Sequence, residues 1–210
     1  MQTVTTIGLD IAKSVFQVHG VDAAGQVIIR RQLKRRYMLA FFEKLPPCLI
    51  GIEACASSHH WSRELQALGH SVRLMPPAYV KPYVKRQKND AADAEAICEA
   101  VSRANMRFVA TKTSEQQSGL MLHRTRQLFI RQQTSVINAI RSHLAEFGIV
   151  APVGRNGVEE LLNVVTDTND KRLPEVARVC LAALGAQLRK FKEQILEFDR
   201  MIRLGTDPMR

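Results

Sequence analysis

The 210-residue chain is 46% hydrophobic and 24% charged, an ordinary globular composition, yet 30 Lys and Arg against 20 Asp and Glu leave it at +10. That excess points to a polyanionic partner, nucleic acid above all. No apolar run approaches the roughly 20 residues that span a bilayer, no positive leader opens the chain, and the four cysteines form no CxxC pair. A cytoplasmic protein with reduced thiols and no membrane partner is expected.

Val4 to Leu9 reads as a short buried strand that ends on Asp10. Ser14 to Val21 alternates as a second strand, and a turn at Asp22–Gly25 leads to a third over Gln26 to Leu33. Tyr37 to Leu45 is predicted helical, stopped by Pro46 and Pro47. Cys48 to Ile52 is another apolar run, closing on Glu53; His60 to Leu68 is a helix with Gly69 at its C-terminal stop. Ser71 to Met75 is a fifth strand before Pro76 and Pro77. The order β-β-β-α-β-α-β-α is that of the ribonuclease H-like α/β fold. In that arrangement the first strand neighbours the fourth, so Asp10 and Glu53 should meet at the carboxyl edge of the sheet.

A basic stretch then supplies Lys81, Lys85, Arg86 and Lys88, and Asn89 is a plausible N-cap for the segment KNDAADAEAICE. At about 100° per residue, Asp90, Asp93, Ala94, Ile97, Cys98, Ala100 and Val101 share one face. Ala91, Ala92, Glu95, Ala96, Glu99, Ser102 and Arg103 fall on the other, where Glu95 and Glu99 are expected to point to water. The two aspartates head the apolar stripe, where an ionised carboxylate is costly unless a cation meets it. Packed on the sheet, this helix would bring Asp90 and Asp93 to Asp10 and Glu53. Four such carboxylates need a counter-charge, and hard oxygen donors suit Mg²⁺ or Mn²⁺. Each acid also has a plainer reading: Asp10 as a turn former, Glu53 as an ion-pair partner, Asp90 and Asp93 as complements to a helix macrodipole. Cys55 with His59 and His60 lacks the ligand count of a zinc site.

Beyond Arg107 the pattern becomes helical. Ser114 with Gln117 forms a capping box opening a segment to Phe147. Residues 101–150 hold seven Lys and Arg against two acids; among them Arg124, Arg126, Arg131 and Arg141 form a basic face suited to phosphate backbones. Gly148 to Gly157 breaks the chain, a short helix follows to Val165, and another starts at Pro174. Ala177, Leu181, Leu184, Leu188, Phe191, Ile195, Phe198 and Ile202 make a heptad seam, a coiled coil or a helical hairpin, with Gly185 a mild weakness inside it. Three parts are therefore expected: a ribonuclease H-like catalytic domain over 1–107, a basic helical segment over 108–150, and a helical coiled-coil region over 151–210.

GLDIAKSVFQV, GIEACASSHHW, VKPYVKRQKNDAADAEAI and HRTRQLFIRQQTSVINAIRSHLAEFG resemble the DEDD transposases of bacterial insertion sequences, relatives of the Piv DNA invertase with a RuvC-like domain. The resemblance covers residues 4 to about 150. It implies that Asp10, Glu53, Asp90 and Asp93 are the four catalytic, Mg²⁺- or Mn²⁺-binding acids of a DNA recombinase. It implies further a structured guide RNA on the basic helix and a homo-oligomer assembled through the 177–202 seam. Members of that family carry a further domain with a nucleophilic serine, which the pattern does not place at Ser57 or Ser58, so residues 1–210 are expected to be a fragment or a truncated frame. The competing expectations are a self-sufficient RuvC-like nuclease and a non-catalytic nucleic-acid-binding remnant. An actin-like ATPase fits poorly, because Ile11-Ala12-Lys13 follows Asp10 where a phosphate loop wants glycine and hydroxyls.

Overall fold

The structure, a computed structural model, describes residues 3–84 and 90–204, without the side chains of Asp90 and Arg155. Lys85, Arg86, Lys88 and the proposed cap Asn89 lie outside the described residues. Two compact units divide the chain, residues 1–113 and 114–210.

The first unit is a five-stranded mixed sheet: β1 (Thr6–Ile11), β2 (Val15–Val21), β3 (Val27–Lys34), β4 (Leu49–Glu53) and β5 (Ser71–Met75), in spatial order β3-β2-β1-β4-β5. β1 pairs antiparallel with β2, which pairs antiparallel with β3; β4 is parallel to β1, and β5 to β4. This topology is compatible with a ribonuclease H-like fold. The first hairpin turns where Gly25 takes φ 77° and the Asp22 carboxylate accepts from the amides of Ala24 and Gln26.

Period-two alternation sends Ile7, Leu9, Phe16, Val18, Leu33, Ile50 and Ile52 to one face, all buried. There they meet Met38 and Phe42 of α1 (Met38–Phe42) and Trp61 and Leu65 of α2 (Ser58–Ala67). Gly69, at φ 89°, ends α2 in the left-handed conformation expected of it. His70 is buried between layers: the Cys48 amide donates to its Nδ1 at 3.3 Å, and its Nε2 lies 3.1 Å from the Phe42 carbonyl. α3 (Pro77–Val80) leads towards α4 (Asp90–Val101) on the opposite face. Residues 108–113 stay with this unit because Val109 bridges to Leu74, Ser62 bonds Thr111, and Arg63 donates to the Lys112 carbonyl.

α4 is embedded more deeply than one stripe requires. Ala96 is as buried as Ala94, because this second flank packs with Met75, Val80, Tyr83 and Val84. Glu95 and Glu99 stay partly exposed and each meets a cation at the surface; Glu95 lies 3.6 Å from Arg30, and Glu99 accepts from Arg103 at 2.6 Å.

The second unit holds α5 (Ser114–Ala145), α6 (Arg155–Thr166) and α7 (Glu175–Arg203). α5 and α7 run antiparallel: Phe129 meets Phe191 and Phe198, and Arg126 bonds Asp199, while Ile140 and Leu144 share a core with Leu181 and Leu188. The heptad seam is thus met by α5 and α6 of the same chain, as a helical hairpin with a third helix. Gly185 is the crossing point, since a Cβ there would sit 2.8 Å from Leu162 Cδ2. Among the described residues, no helix is long and apolar enough to cross a membrane.

Cys48 and Cys98 are buried, and burial pushes both thiols up to about 11, whereas Cys55 and Cys180 are exposed. Alkylation of the native protein at pH 8 should modify Cys55 and Cys180 rapidly and leave the other two until unfolding, as read by mass spectrometry. Because the unfolded chain releases these thiol protons first, stability should fall as pH rises from about 9 towards 11. A Cys48→Ala, Cys98→Ala variant should lose that alkaline slope.

Candidate functional site

Gly8 of β1 pairs with Gly51 of β4, and Leu9 with Ile52; Asp10 and Glu53 are the next residues on these adjacent parallel strands. Parallel neighbours lie roughly 4.8 Å apart, so the two acids close the strands side by side. Their facing follows from the glycines. A Cβ on Gly8 would run into the Ala94 carbonyl oxygen and the Cys98 nitrogen, and one on Gly51 would lie 2.7 Å from Val101 Cβ. Both glycines therefore turn to α4, and Asp10 and Glu53, two residues further on, share that face.

The same contacts orient the helix. Glu95, Cys98, Glu99 and Ser102 line a cavity with Thr5 and Thr6, so this flank of α4 faces the start of β1. The other flank, Ala96, Ile97 and Ala100, packs on Met75 and the segment that leaves the carboxyl end of β5. Asp93, half-buried and one turn ahead of Ile97, lies on this second flank, towards the edge that Asp10 and Glu53 close. Asp90 starts the helix, but its side chain lies outside the described residues.

Asp10 and Glu53 thus stand side by side on the face that α4 crosses, and helical spacing puts Asp93 on the flank of α4 that carries Ile97. Asp10 and Glu53 each make a further interaction there. Among the described residues, no three His, Cys, Asp or Glu side chains form a ready-made metal cage. The donor chemistry of Asp10, Glu53 and Asp93 is nevertheless all carboxylate oxygen, which fits Mg²⁺ or Mn²⁺ and does not suit a zinc site of the usual nitrogen and sulfur ligands. His59, beside Cys55, accepts the Lys112 amide at its Nδ1 at 3.1 Å, and burial with Lys112 and Arg63 keeps its pKa low.

Ser58 is held away from nucleophilic work. Fully buried, its Oγ accepts the Cys55 amide at 3.1 Å and donates to the Cys55 carbonyl at 3.0 Å, locking the loop after Glu53.

The basic candidates separate into free and committed groups. Lys81, Arg124 and Arg131 are exposed. Arg126 bonds Asp199 at 2.6 Å. Arg141 donates to the carbonyls of Ala151, Pro152 and Gly154, tying the end of α5 to the following loop. The structure adds a cationic run that the sequence reading passes over as strand: Arg30, Arg31, Lys34, Arg35 and Arg36, along the edge strand β3 and just beyond it. Five cations in seven positions were the available signal. Arg35 stacks over Trp61 at 5.0 Å and Arg31 over Phe41 at 5.5 Å, on the apolar face. Such charge on an edge also discourages strand-to-strand aggregation.

Comparison with known proteins gives the family. Residues 7–149 match the IS110-type DEDD family, described as transposases. The chain is 50% identical over 202 residues to a protein of Sinorhizobium fredii named as a transposase, covering 96% of this chain and 52% of that one. It is 49% identical over 197 residues to a family 20 transposase of Pseudomonas aeruginosa, covering 93% and 58%. It is 36% identical over 203 residues to the transposase of insertion sequence IS1328 from Yersinia enterocolitica, covering 97% and 60%. The chain spans a little over half the length of the curated relatives it matches. With a matching family profile across most of the sheet unit and α5, this chain belongs to the IS110-type family of DEDD transposases.

Proposed function

We propose that this chain is the metal-binding portion of an insertion-sequence transposase, acting on DNA phosphodiesters during transposition. The observation that supports the reading is that Asp10 and Glu53 close adjacent parallel strands on the face that α4 crosses. Asp10, Glu53, Asp90 and Asp93 would hold Mg²⁺ or Mn²⁺, which polarises a scissile phosphodiester and offsets charge developing on its oxygens. The protein's own part is positional. β1 and β4 fix two carboxylates through the sheet register, and α4 delivers the others through backbone contact at Gly8 and packing at Gly51. Lys81, with Lys85, Arg86 and Lys88, would hold the DNA backbone beside that edge. Arg124 and Arg131 on α5 would bind a structured guide RNA, with Arg126 and Arg141 serving mainly to hold the helices together. Assembly with a second copy would use surface other than the seam already buried within the chain. The nucleophilic serine expected from the resemblance is not assigned to any residue of this chain.

Isothermal titration of the chain with Mn²⁺ tests the reading. Asp10→Asn should weaken binding about tenfold or more, with circular dichroism unchanged. Absence of Mn²⁺ binding by the unsubstituted chain, with RNA binding retained, would favour the non-catalytic remnant. Metal-dependent nicking of DNA by residues 1–210 alone, abolished by Asp90→Asn, would favour a self-sufficient nuclease.

A further inference from the structure

On the same face as Asp10, a polar row continues outward across the sheet. Asp10 pairs with Gln17, and Gln17 pairs with Gln32; one step along, Gly8 pairs with His19 and His19 with Arg30. Gln17, His19, Arg30 and Gln32 line a cavity of about 410 Å³ whose other wall is Ala91, Ala92, Ala94 and Glu95 of α4. This volume lies within the range of small-ligand sites, about 300–1,000 Å³. It suits one nucleobase with its sugar.

The wall chemistry is specific. Gln17 is half-exposed and Gln32 exposed, and neither amide bonds another described residue, so each keeps a donor and an acceptor for a ligand. Arg30, two-thirds exposed, lies 3.6 Å from Glu95 across the rim, leaving most of its guanidinium edge open to a further acceptor. The cavity is not a free-standing pocket; it adjoins Asp10 through a single cross-strand step.

We infer that this groove receives an unpaired DNA nucleotide next to the scissile phosphate, its base edge read by the Gln17 and Gln32 amides and its phosphate met by Arg30. The inference rests on the metal-site reading above, because only a phosphodiester held at the carboxylates puts the adjoining nucleotide here. Glutamine amides pair bidentately with adenine, so an adenine is the preferred occupant. Gln17 and Gln32 would act as positioning and specificity residues, not as metal ligands.

The test uses the whole chain, a fluorescein-labelled 12-nucleotide oligodeoxyadenylate, its deoxycytidylate and RNA counterparts, and anisotropy with Mn²⁺ present. The double variant Gln17→Ala, Gln32→Ala should lose about fivefold in affinity for oligodeoxyadenylate and less for oligodeoxycytidylate, with the salt dependence unchanged. Arg30→Ala should weaken all DNA oligonucleotides alike and reduce the salt slope by about one. Titration of Mn²⁺ into the double variant should match the unsubstituted chain. Unchanged affinity in the folded double variant overturns the groove while leaving the carboxylate reading standing. An equal loss on the RNA strand overturns the assignment to DNA, and loss of Mn²⁺ binding shows that the amides belong to the carboxylate site instead. Failure of the unsubstituted chain to bind Mn²⁺ would be a separate result, against the metal-site reading on which the groove depends.

Discussion

Replacing Gly8 with alanine is expected to cost about 4 kcal/mol of stability, at the upper end of overpacking effects. The added methyl would meet the carbonyl oxygen of Ala94 and the nitrogen of Cys98, with Cys98 Cβ at 2.8 Å. Two of these are backbone atoms of α4, so no rotamer change relieves the clash. Either the helix lifts from the sheet or β1 bows away from it. On the metal-site proposal above, both movements would carry Asp93 away from Asp10 and Glu53, so Mn²⁺ affinity should fall together with the urea midpoint. An alanine variant with the midpoint and the metal affinity of the unsubstituted chain would show that α4 does not set the geometry of the acids. The size of the effect matters because single domains hold only about 5–15 kcal/mol in total.

Arg178→Ala should be the most damaging surface substitution in the helical unit, at about 3 kcal/mol. One guanidinium donates to four backbone carbonyls: Val164 at 3.1 Å, Val165 at 2.8 Å, Asp167 at 2.7 Å and Asp170 at 2.6 Å. Val164 and Val165 close α6, where the last carbonyls lack helical partners, and a cation there also suits the helix dipole. Removing it strands half-buried acceptors and frees the turn that returns the chain into α7. Arg178→Lys should recover only part of the loss, because one ammonium cannot span the fork. Hydrogen exchange should show α6 amides opening first in both variants, with the sheet unit unaffected. Equal protection of α6 in the alanine variant would remove this role from Arg178.

Most of the strands were legible because they are short apolar or alternating runs closed by a turn signal or an acid, and their order alone placed Asp10 beside Glu53. The helix and its apolar stripe were legible in the α4 segment, but its second buried flank was not. Ala96 reads as a small residue on the outer face until the chain after β5 is seen to fold back over it. Arg141 and Arg178 were beyond sequence reasoning for a related reason: arginines that serve backbone carbonyls carry no periodicity to distinguish them from a phosphate-binding face. The seam in α7 announced a helical partner correctly, yet the identity of that partner depended on the turns at 146–154 and 167–174, where heptad spacing is silent. Gly185 looked like a flaw in that seam because its value lies in what it leaves room for.

The close approach of α4 to the sheet divides the two faces of β1 and β4 by their tolerance. On the apolar face, contact is side chain to side chain, so volume-conserving exchanges can be absorbed by neighbouring rotamers. On the other face a strand glycine meets helix backbone, and a single methyl is transmitted as a displacement of the whole helix. Mutational drift in the core of this unit should therefore change how long the protein lasts well before it changes where the carboxylates stand.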